Sequence, residues 1–259
     1  MKKKLSLILA VMLVLTMLAS CGGKTSYRSI ADIKKSGELV MLTNAYFEPY
    51  EYIAGGKVVG ADVDLATMIA AELGVELRII DQDFDGLVDA LKNGKGDLIA
   101  AGMTNTEERA LVVDFSIEYV LNGLLIIVPA GSDIKSAEDL AGKRVAVQEG
   151  TTADTYVTDE VAGAEVMRFK DAVVAGTSVS DGRADACVLD IKPAEGVVAN
   201  SKGALVLLPE RLTDESMSMA VGKGNTELLE IVNKVLQQAK DSGMVDALVD
   251  LHMEATTNG

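Results

Sequence analysis

Residues 94–102 read Gly94-Lys95-Gly96-Asp97-Leu98-Ile99-Ala100-Ala101-Gly102, and residues 182–190 read Gly182-Arg183-Ala184-Asp185-Ala186-Cys187-Val188-Leu189-Asp190. Each stretch follows a helix-like segment, turns at a glycine, passes an aspartate and continues as a short apolar run, which reads as a strand entered after a helix stop. Five residues beyond each aspartate come Gly102 and Asp190, at the carboxyl ends of those strands. A second echo lies upstream of each: Gly37-Glu38-Leu39-Val40 and Gly142-Lys143-Arg144-Val145, with strand ends at Asn44 and Glu149. Glycine is a common stop after any helix, so recurrence of turn residues by chance is the competing explanation. Taken as a repeat, the pattern means two lobes of one βα plan. Open α/β sheets bind ligands outside the carboxyl ends of their strands, so two such lobes facing each other define one cleft.

Around these stretches the chain alternates strand-like and helical runs, the rhythm of an α/β fold. Strands are expected over 39–43, 77–80, 97–101, 144–148 and 184–189. Ala61 to Leu73 carries Val63, Ala66, Ile69, Ala70 and Leu73 on one stripe, with Asp62, Asp64 and Glu72 away from it, and predicts a helix stopped by Gly74. Further helices are expected over 86–92, 152–160, 171–180 and 227–239, the last with Leu228, Ile231, Val232, Val235 and Ala239 on one face.

With 259 residues, 49% hydrophobic and 24% charged, the chain suits one or two folded domains. Its 24 Lys and Arg against 39 Asp and Glu give a net charge of −15 with no basic cluster, which disfavours a nucleic-acid partner. Two cysteines and one histidine cannot assemble a Cys/His zinc site or a disulfide framework. No phosphate-binding loop, dinucleotide fingerprint, H-E-x-x-H or nucleophile elbow occurs, so no cofactor, metal or familiar catalytic chemistry is expected. Cys187, in an apolar run far in sequence from His252, reads as a small core hydrophobe.

Lys2, Lys3 and Lys4 precede an apolar run from Leu5 to Leu18, the layout of a secretion signal over residues 1–20. Leu18-Ala19-Ser20-Cys21-Gly22 follows and resembles a lipobox, in which Cys21 is lipidated and becomes the new N-terminus; an ordinary cleaved signal is the alternative. Loss of the signal removes three lysines and no acid, leaving −18. Several acyl chains on Cys21 would give stable anchoring, with residues 21–29 as the tether.

The strand ends suggest the chemistry. After Gly102 comes Met103-Thr104-Asn105-Thr106-Glu107-Glu108-Arg109, where Thr106 suits an N-cap and the two acids suit a first helical turn. Arg109 opposes the helix dipole there, so it reads either as a bidentate grip on a carboxylate or as a surface cation paired with a neighbouring acid. In the second half Gly150-Thr151-Thr152 joins a strand to a helix, where free backbone N–H groups can hold an anion. Asp190 supplies the opposite charge. A cation facing an anion across a cleft is complementary to a zwitterion, for which an α-amino acid is the natural match. Phe47 and Phe84 are placed to clamp its side chain, or belong to the core.

From about Gly37 to Met253 the chain resembles the bacterial extracellular solute-binding proteins of family 3, which serve polar amino-acid ABC transporters. The resemblance is carried by Asn44-Ala45-Tyr46-Phe47-Glu48-Pro49-Tyr50-Glu51-Tyr52, Gly60-Ala61-Asp62-Val63-Asp64-Leu65, Asp83-Phe84-Asp85-Gly86, the run from Ala101 to Arg109, Val113-Asp114-Phe115-Ser116, the run from Asp139 to Thr152, and Gly182 to Ala186. It implies a periplasmic-binding-protein-like fold: two α/β lobes joined by two crossing strands, closing on a ligand by hinge motion. Crossings are expected near 119–123 and 215–220, so residues 30–121 plus 216–259 would form lobe one and 122–215 lobe two.

The resemblance further implies that Arg109, with Thr104 and the Thr152 N–H, binds the ligand α-carboxylate, and that Asp190, the Gly102 carbonyl and the Thr104 hydroxyl take the α-ammonium. Phe47 and Phe84 would flank the side chain, Thr151 sits beside the anion site, and Asn44 and Gln148 stand where the family tunes specificity. The partners implied are an amino acid, an ABC permease and the outer face of a membrane, reached through the lipid alone by a monomer. Three features depart from the pattern. Asn44 stands where members for cationic ligands often carry an acid, Gly176 interrupts a helix, and Leu251-His252-Met253 lacks a usual aromatic. A helical glycine costs roughly 1 kcal/mol, so the second lobe is expected to be less stable or differently packed. Rival functions are a cyclohexadienyl or prephenate dehydratase on the same fold, recruiting an acid such as Glu149 or Glu118, and an amino-acid sensor without transport.

Overall fold

A computed structural model describes residues 27–257; the expected signal, Cys21 and the first part of the tether lie outside the described residues. Within them the strands run, in chain order, as β1 (Glu38–Thr43), β2 (Tyr46–Phe47), β3 (Glu51–Ala54), β4 (Lys57–Val59), β5 (Glu76–Asp81), β6 (Leu98–Ile99), β7 (Val113–Phe115), β8 (Val120–Asn122), β9 (Leu124–Pro129), β10 (Arg144–Gln148), β11 (Glu165–Phe169), β12 (Ala186–Asp190), β13 (Leu205–Arg211), β14 (Glu215–Met217) and β15 (Ala220–Gly222). Two sheets carry the lobes, in the orders β5-β1-β6-β15-β7 and β11-β10-β12-β9-β13.

The two orders follow one plan. β1 pairs in parallel with β5 and β6, and β15 runs antiparallel to β6. In the other sheet β10 pairs in parallel with β11 and β12, and β9 runs antiparallel to β12. The antiparallel fourth strand of each sheet follows a crossing strand: β8 leads into β9 and β14 into β15. β8 and β14 pair with each other, Glu215 opposite Asn122 and Met217 opposite Val120.

The repeated aspartates have one structural task. Asp97 Oδ2 accepts from the Val40 N–H at 2.8 Å, near the start of β1, and Asp185 Oδ2 accepts from the Arg144 N–H at 2.9 Å, at the start of β10. Each is also paired with an arginine, Asp97 with Arg28 (Nε to Oδ1 2.8 Å) and Asp185 with Arg144 (Nη2 to Oδ1 2.7 Å). An unpaired backbone donor at a sheet end costs free energy, and a carboxylate placed by a glycine turn satisfies it in both lobes.

Helix Ala61–Leu73 has the ends its periodicity predicts and buries Leu65, Ala66, Ile69 and Leu73. They join Leu39, Met41 and Leu98 of the first sheet and Val232 and Leu236 of helix Thr226–Asp241 in one core. In the second lobe Val145, Val147, Ala186 and Val188 pack on Val157 and Leu140. Fully burying one such side chain stabilises by about 1.5–3 kcal/mol. Cys187 is buried in β12, and burial pushes its thiol pKa up, as suits a core residue.

Gly176 reads differently in the fold. A Cβ there would lie 2.8 Å from both Cγ atoms of Val197, so the glycine lets helix Ala172–Ser180 approach helix Ile191–Asn200. His252, in the stretch where an aromatic is common, is itself firmly engaged. Its Nδ1 lies 3.0 Å from Tyr52 Oη and its Nε2 2.9 Å from Asp64 Oδ2, with the ring edge-on to Tyr52. This clamps helix Met244–Thr257 to the first lobe. The hairpin β2–β3–β4 is an addition to the elements expected from periodicity. No helix among the described residues is long and apolar enough to cross a membrane.

Candidate functional site

The carboxyl end of β6 turns at Gly102 and leads through Thr104 into the one-turn helix Glu107–Ala110. Thr106 caps it, its Oγ1 accepting from the Arg109 N–H at 3.2 Å, as the Thr-Glu-Glu pattern predicts. The Arg109 guanidinium is thereby aimed across the cleft. Nη1 donates to the Thr104 carbonyl at 2.7 Å and Nη2 to the Gly150 carbonyl of the other lobe at 2.9 Å, while Cζ sits 5.4 Å from the Phe84 ring centroid. Burial draws its pKa down and the charges of Asp190, Glu215 and Glu108 oppose the shift; a guanidinium remains a cation throughout. Phe47, in β2, stacks on Tyr50 with centroids 5.9 Å apart. The Gly102 N–H donates to buried Asp62 (2.9 Å), which also accepts from Tyr119 Oη at 2.7 and 2.8 Å. Burial raises Asp62 to about 6 against those bonds.

In the second lobe Thr151 caps helix Thr152–Glu160: its Oγ1 accepts from the Asp154 N–H at 3.3 Å and donates to the Gln148 carbonyl at 2.8 Å. The anion donors expected along Gly150-Thr151-Thr152 are reduced, because the Gly150 N–H already donates to Asp154 Oδ2 at 3.1 Å. Gly150 instead serves as a point of close approach. At φ +77° a Cβ there would lie 2.8 Å from Asp85 Cβ in the first lobe. Asp190 ends β12, 4% exposed, and accepts from Asn122 Nδ2 of the crossing strand β8. Burial drives its pKa up to about 7; the Asn122 bond and the Arg109 charge pull it down, and Glu215 pushes it further up.

Phe47, Phe84, Gly102, Thr104, Arg109, Thr151, Thr152 and Asp190 line one small, nearly closed cavity. Asn44 and Gln148 are bonded to each other between the lobes, Gln148 Nε2 donating to Asn44 Oδ1 at 2.8 Å, with Asn44 Nδ2 donating to the Gln82 carbonyl at 3.0 Å. Gln148 Oε1 is buried without a partner among the described residues.

Three further residues around the cavity-lining groups are not singled out by the sequence. Asn122 holds Asp190. Glu51 is fully buried with neither carboxyl oxygen hydrogen-bonded, and burial, then Asp62 and Asp190, push its pKa well up. It lies directly across the β2–β3 ladder from Phe47, hence on the same face of the hairpin. Glu215, in β14, accepts from the hydroxyls of Thr104 and Thr152 at 2.8 Å each. Only the Pro49 turn hints at Glu51, and nothing local marks Glu215 as a cleft residue, since its two cleft partners lie 111 and 63 residues away. Among the described residues no group of three or more His, Cys, Asp or Glu side chains is arranged to hold a metal ion.

Residues 39–255 match the model of the bacterial extracellular solute-binding proteins, family 3. A probable histidine-binding protein of Campylobacter jejuni is 31% identical over 251 residues, covering 96% of this chain and 98% of that protein. The arginine-binding extracellular protein ArtP of Bacillus subtilis is 33% identical over 260 residues, 96% of each. A solved structure of the arginine-bound form of truncated ArgBP from T. maritima superposes with a TM-score of 0.78 at 45% identity, covering 81% of this chain and all of that one.

Proposed function

The chain belongs to the bacterial extracellular solute-binding proteins of family 3, and from that premise we propose that it captures a cationic amino acid, arginine first, and hands it to an ABC-transporter permease. The observation that carries the amino-acid reading is the pair of opposite charges on one cavity: Arg109 from the first lobe and buried Asp190 from the second. Arg109, Thr104 and the Thr152 N–H take the α-carboxylate; Asp190, the Gly102 carbonyl and the Thr104 hydroxyl take the α-ammonium; Phe47 and Phe84 flank the side chain, with Thr151 holding the helix end. Asn44 and Gln148 answer each other across the lobes, so position 44, where members for cationic ligands often carry an acid, offers no anion to a cationic side chain. Glu51 supports that role better, being a buried carboxyl with two free oxygens on the Phe47 face. The arginine-binding relatives point the same way.

The mechanism is reversible enclosure, with no covalent step. A zwitterion neutralises both halves of the cleft at once, and closure desolvates the charge pairs and strengthens them. Residues 30–121 plus 216–259 form lobe one and 122–215 lobe two in this reading. Lipidation at Cys21, after loss of residues 1–20, anchors a monomer to the outer face of the membrane.

A thermal-shift screen of the mature chain against the twenty amino acids and prephenate tests it. At a hundred times its dissociation constant a ligand adds about 2.7 kcal/mol, a shift of roughly 5–10 °C at this size. The expected result is a shift with L-arginine. No shift with any amino acid overturns the proposal, and consumption of prephenate makes the protein an enzyme. Glu51→Gln is expected to erase the preference for L-arginine over its neutral isostere L-citrulline, measured by titration calorimetry.

A further inference from the structure

Glu215 belongs to neither lobe's set of strand-end groups, yet it touches both. From the crossing strand β14 its Oε2 accepts from Thr104 Oγ1 of the first lobe and from Thr152 Oγ1 of the second, each at 2.8 Å. Its Oε1 accepts from Thr213 Oγ1, also at 2.8 Å, and that hydroxyl is fixed in turn by accepting from the Leu124 N–H at 3.2 Å. The carboxylate is thus held from three directions.

A hydroxyl has one proton and two lone pairs. A carboxylate has no proton to give, so in both contacts the threonine must be the donor. With those protons turned to Glu215, the oxygens of Thr104 and Thr152 have only lone pairs left to offer the cavity that both line beside Asp190. The two hydroxyl oxygens are then acceptors only, which suits an ammonium with its three N–H donors and leaves the ligand carboxylate to Arg109 and the backbone N–H groups.

We propose that Glu215 is a positioning residue which fixes Thr104 and Thr152 as acceptors, so that the cleft selects ligands bearing an α-ammonium over analogues that lack one. The inference rests on the amino-acid reading above and adds a specificity determinant to it. Because the two donors come from different lobes and the acceptor from the strand between them, the arrangement is complete only when the lobes are together. Selection for the ammonium is therefore made at closure.

The test is calorimetric titration of the mature wild-type chain and of Glu215→Gln with L-arginine and with 5-guanidinopentanoate, which keeps the guanidinium and carboxylate but has no α-ammonium. Glu215→Gln is expected to weaken L-arginine about 10- to 100-fold, the range for loss of a hydrogen bond to a charged group. The desamino compound is expected to change less than about threefold. Thr104→Val and Thr152→Val, which remove the oriented oxygens themselves, are expected to narrow the same preference and serve if Glu215→Gln folds poorly by circular dichroism. Equal losses for both compounds would make Glu215 a support of lobe architecture and overturn the inference. Tighter binding of both would make it a competitor of the ligand carboxylate and overturn it equally. If the wild type binds no amino acid, the functional reading fails first; if it binds but the variants do not discriminate, only the role of Glu215 fails.

Discussion

Arg109, in the short helix beyond Gly102, and Asp190, at the end of β12, follow corresponding strands in two sheets of the same strand order, but the protein holds them in opposite ways. Arg109 is half-buried, has two carbonyl acceptors, one in each lobe, and lies near an aromatic ring. Asp190 is 4% exposed, with an asparagine amide on one oxygen and burial driving it to about 7. The first half of the cleft is a cation already at rest in its surroundings. The second is an anion whose charge is unfavourable until a cation arrives. Duplicated architecture therefore supplies two similar platforms, and local burial makes one of them a preformed grip and the other a group that awaits its partner.

Breaking the grip is expected to have the largest effect. Arg109→Ala leaves a ligand carboxylate facing Glu215 and Asp190 without its cation, and removing one member of a buried charge pair costs about 3–5 kcal/mol. Calorimetry is expected to record at least a 100-fold loss of affinity, with an unchanged circular dichroism spectrum. Asp190→Asn is expected to cost less, about 10- to 100-fold, and to reveal its nature through pH. The ammonium-binding form is the ionised one, so with a pKa near 7 wild-type affinity falls as pH drops below 7 and levels off above it. At pH 6 the number of protons released on binding is expected to be lower by about one in Asp190→Asn, measured across buffers of different ionisation enthalpy. The sign for stability is reversed. A carboxyl raised from 3.8 to about 7 keeps its proton in the fold, so its effect on the unliganded protein worsens as pH rises from 4 to 7. The asparagine variant is expected to lack that decline.

The repeat around Asp97 and Asp185 was legible because its cause is local: a glycine turn places a carboxylate on the first amides of a neighbouring strand. Helices Ala61–Leu73 and Thr152–Glu160 and strand β10 end where their periodicity and caps end them, for the same reason. Position at strand ends, joined by resemblance to family motifs, singled out the residues that line the cavity. Glu51 and Glu215 were hidden because their meaning is nonlocal. Glu51 sits in a short hairpin whose alternation is too brief to reveal a buried face, and Glu215 acquires its role only when loops from two lobes and a crossing strand converge. Gly176 was legible as an oddity, but its packing role was not, since helix propensity counts its flexibility and not the Val197 methyls pressed against it.

Two glycines sharpen the contrast between cleft and core. Gly176→Ala forces a methyl against Val197, and overpacking of this kind costs about 1–3 kcal/mol. Differential scanning calorimetry is expected to show a lower Tm with ligand affinity nearly unchanged once folded. Gly150→Ala puts its methyl against Asp85 across the cleft and strains a left-handed backbone. Its expected signature is the converse, an affinity loss of about tenfold, read by calorimetry, with a smaller change in Tm. If the two variants behave alike, cleft and core are not separable in the way the comparison requires.

The smallest effect is expected at the rim, where charged side chains of the two lobes meet. Lys170 of the second lobe lies 2.9 Å from Asp85, 3.6 Å from Asp83 and 2.9 Å from Glu149. It is half-exposed, so the ion pairs themselves are weak and screened. Its second role is to separate like charges: without it, Asp83 and Asp85 of one lobe face Glu149 of the other in a chain that is already strongly acidic. Lys170→Ala is therefore expected to favour separation of the lobes and weaken ligand binding by about two- to threefold at low ionic strength. Raising the salt to about 0.5 M shortens the screening length to a few ångströms and relieves that repulsion. The variant's affinity is then expected to approach that of the wild type. A deficit that persists at high salt would mean that Lys170 acts by packing, and that closure at the rim is as specific as the grip on the ligand.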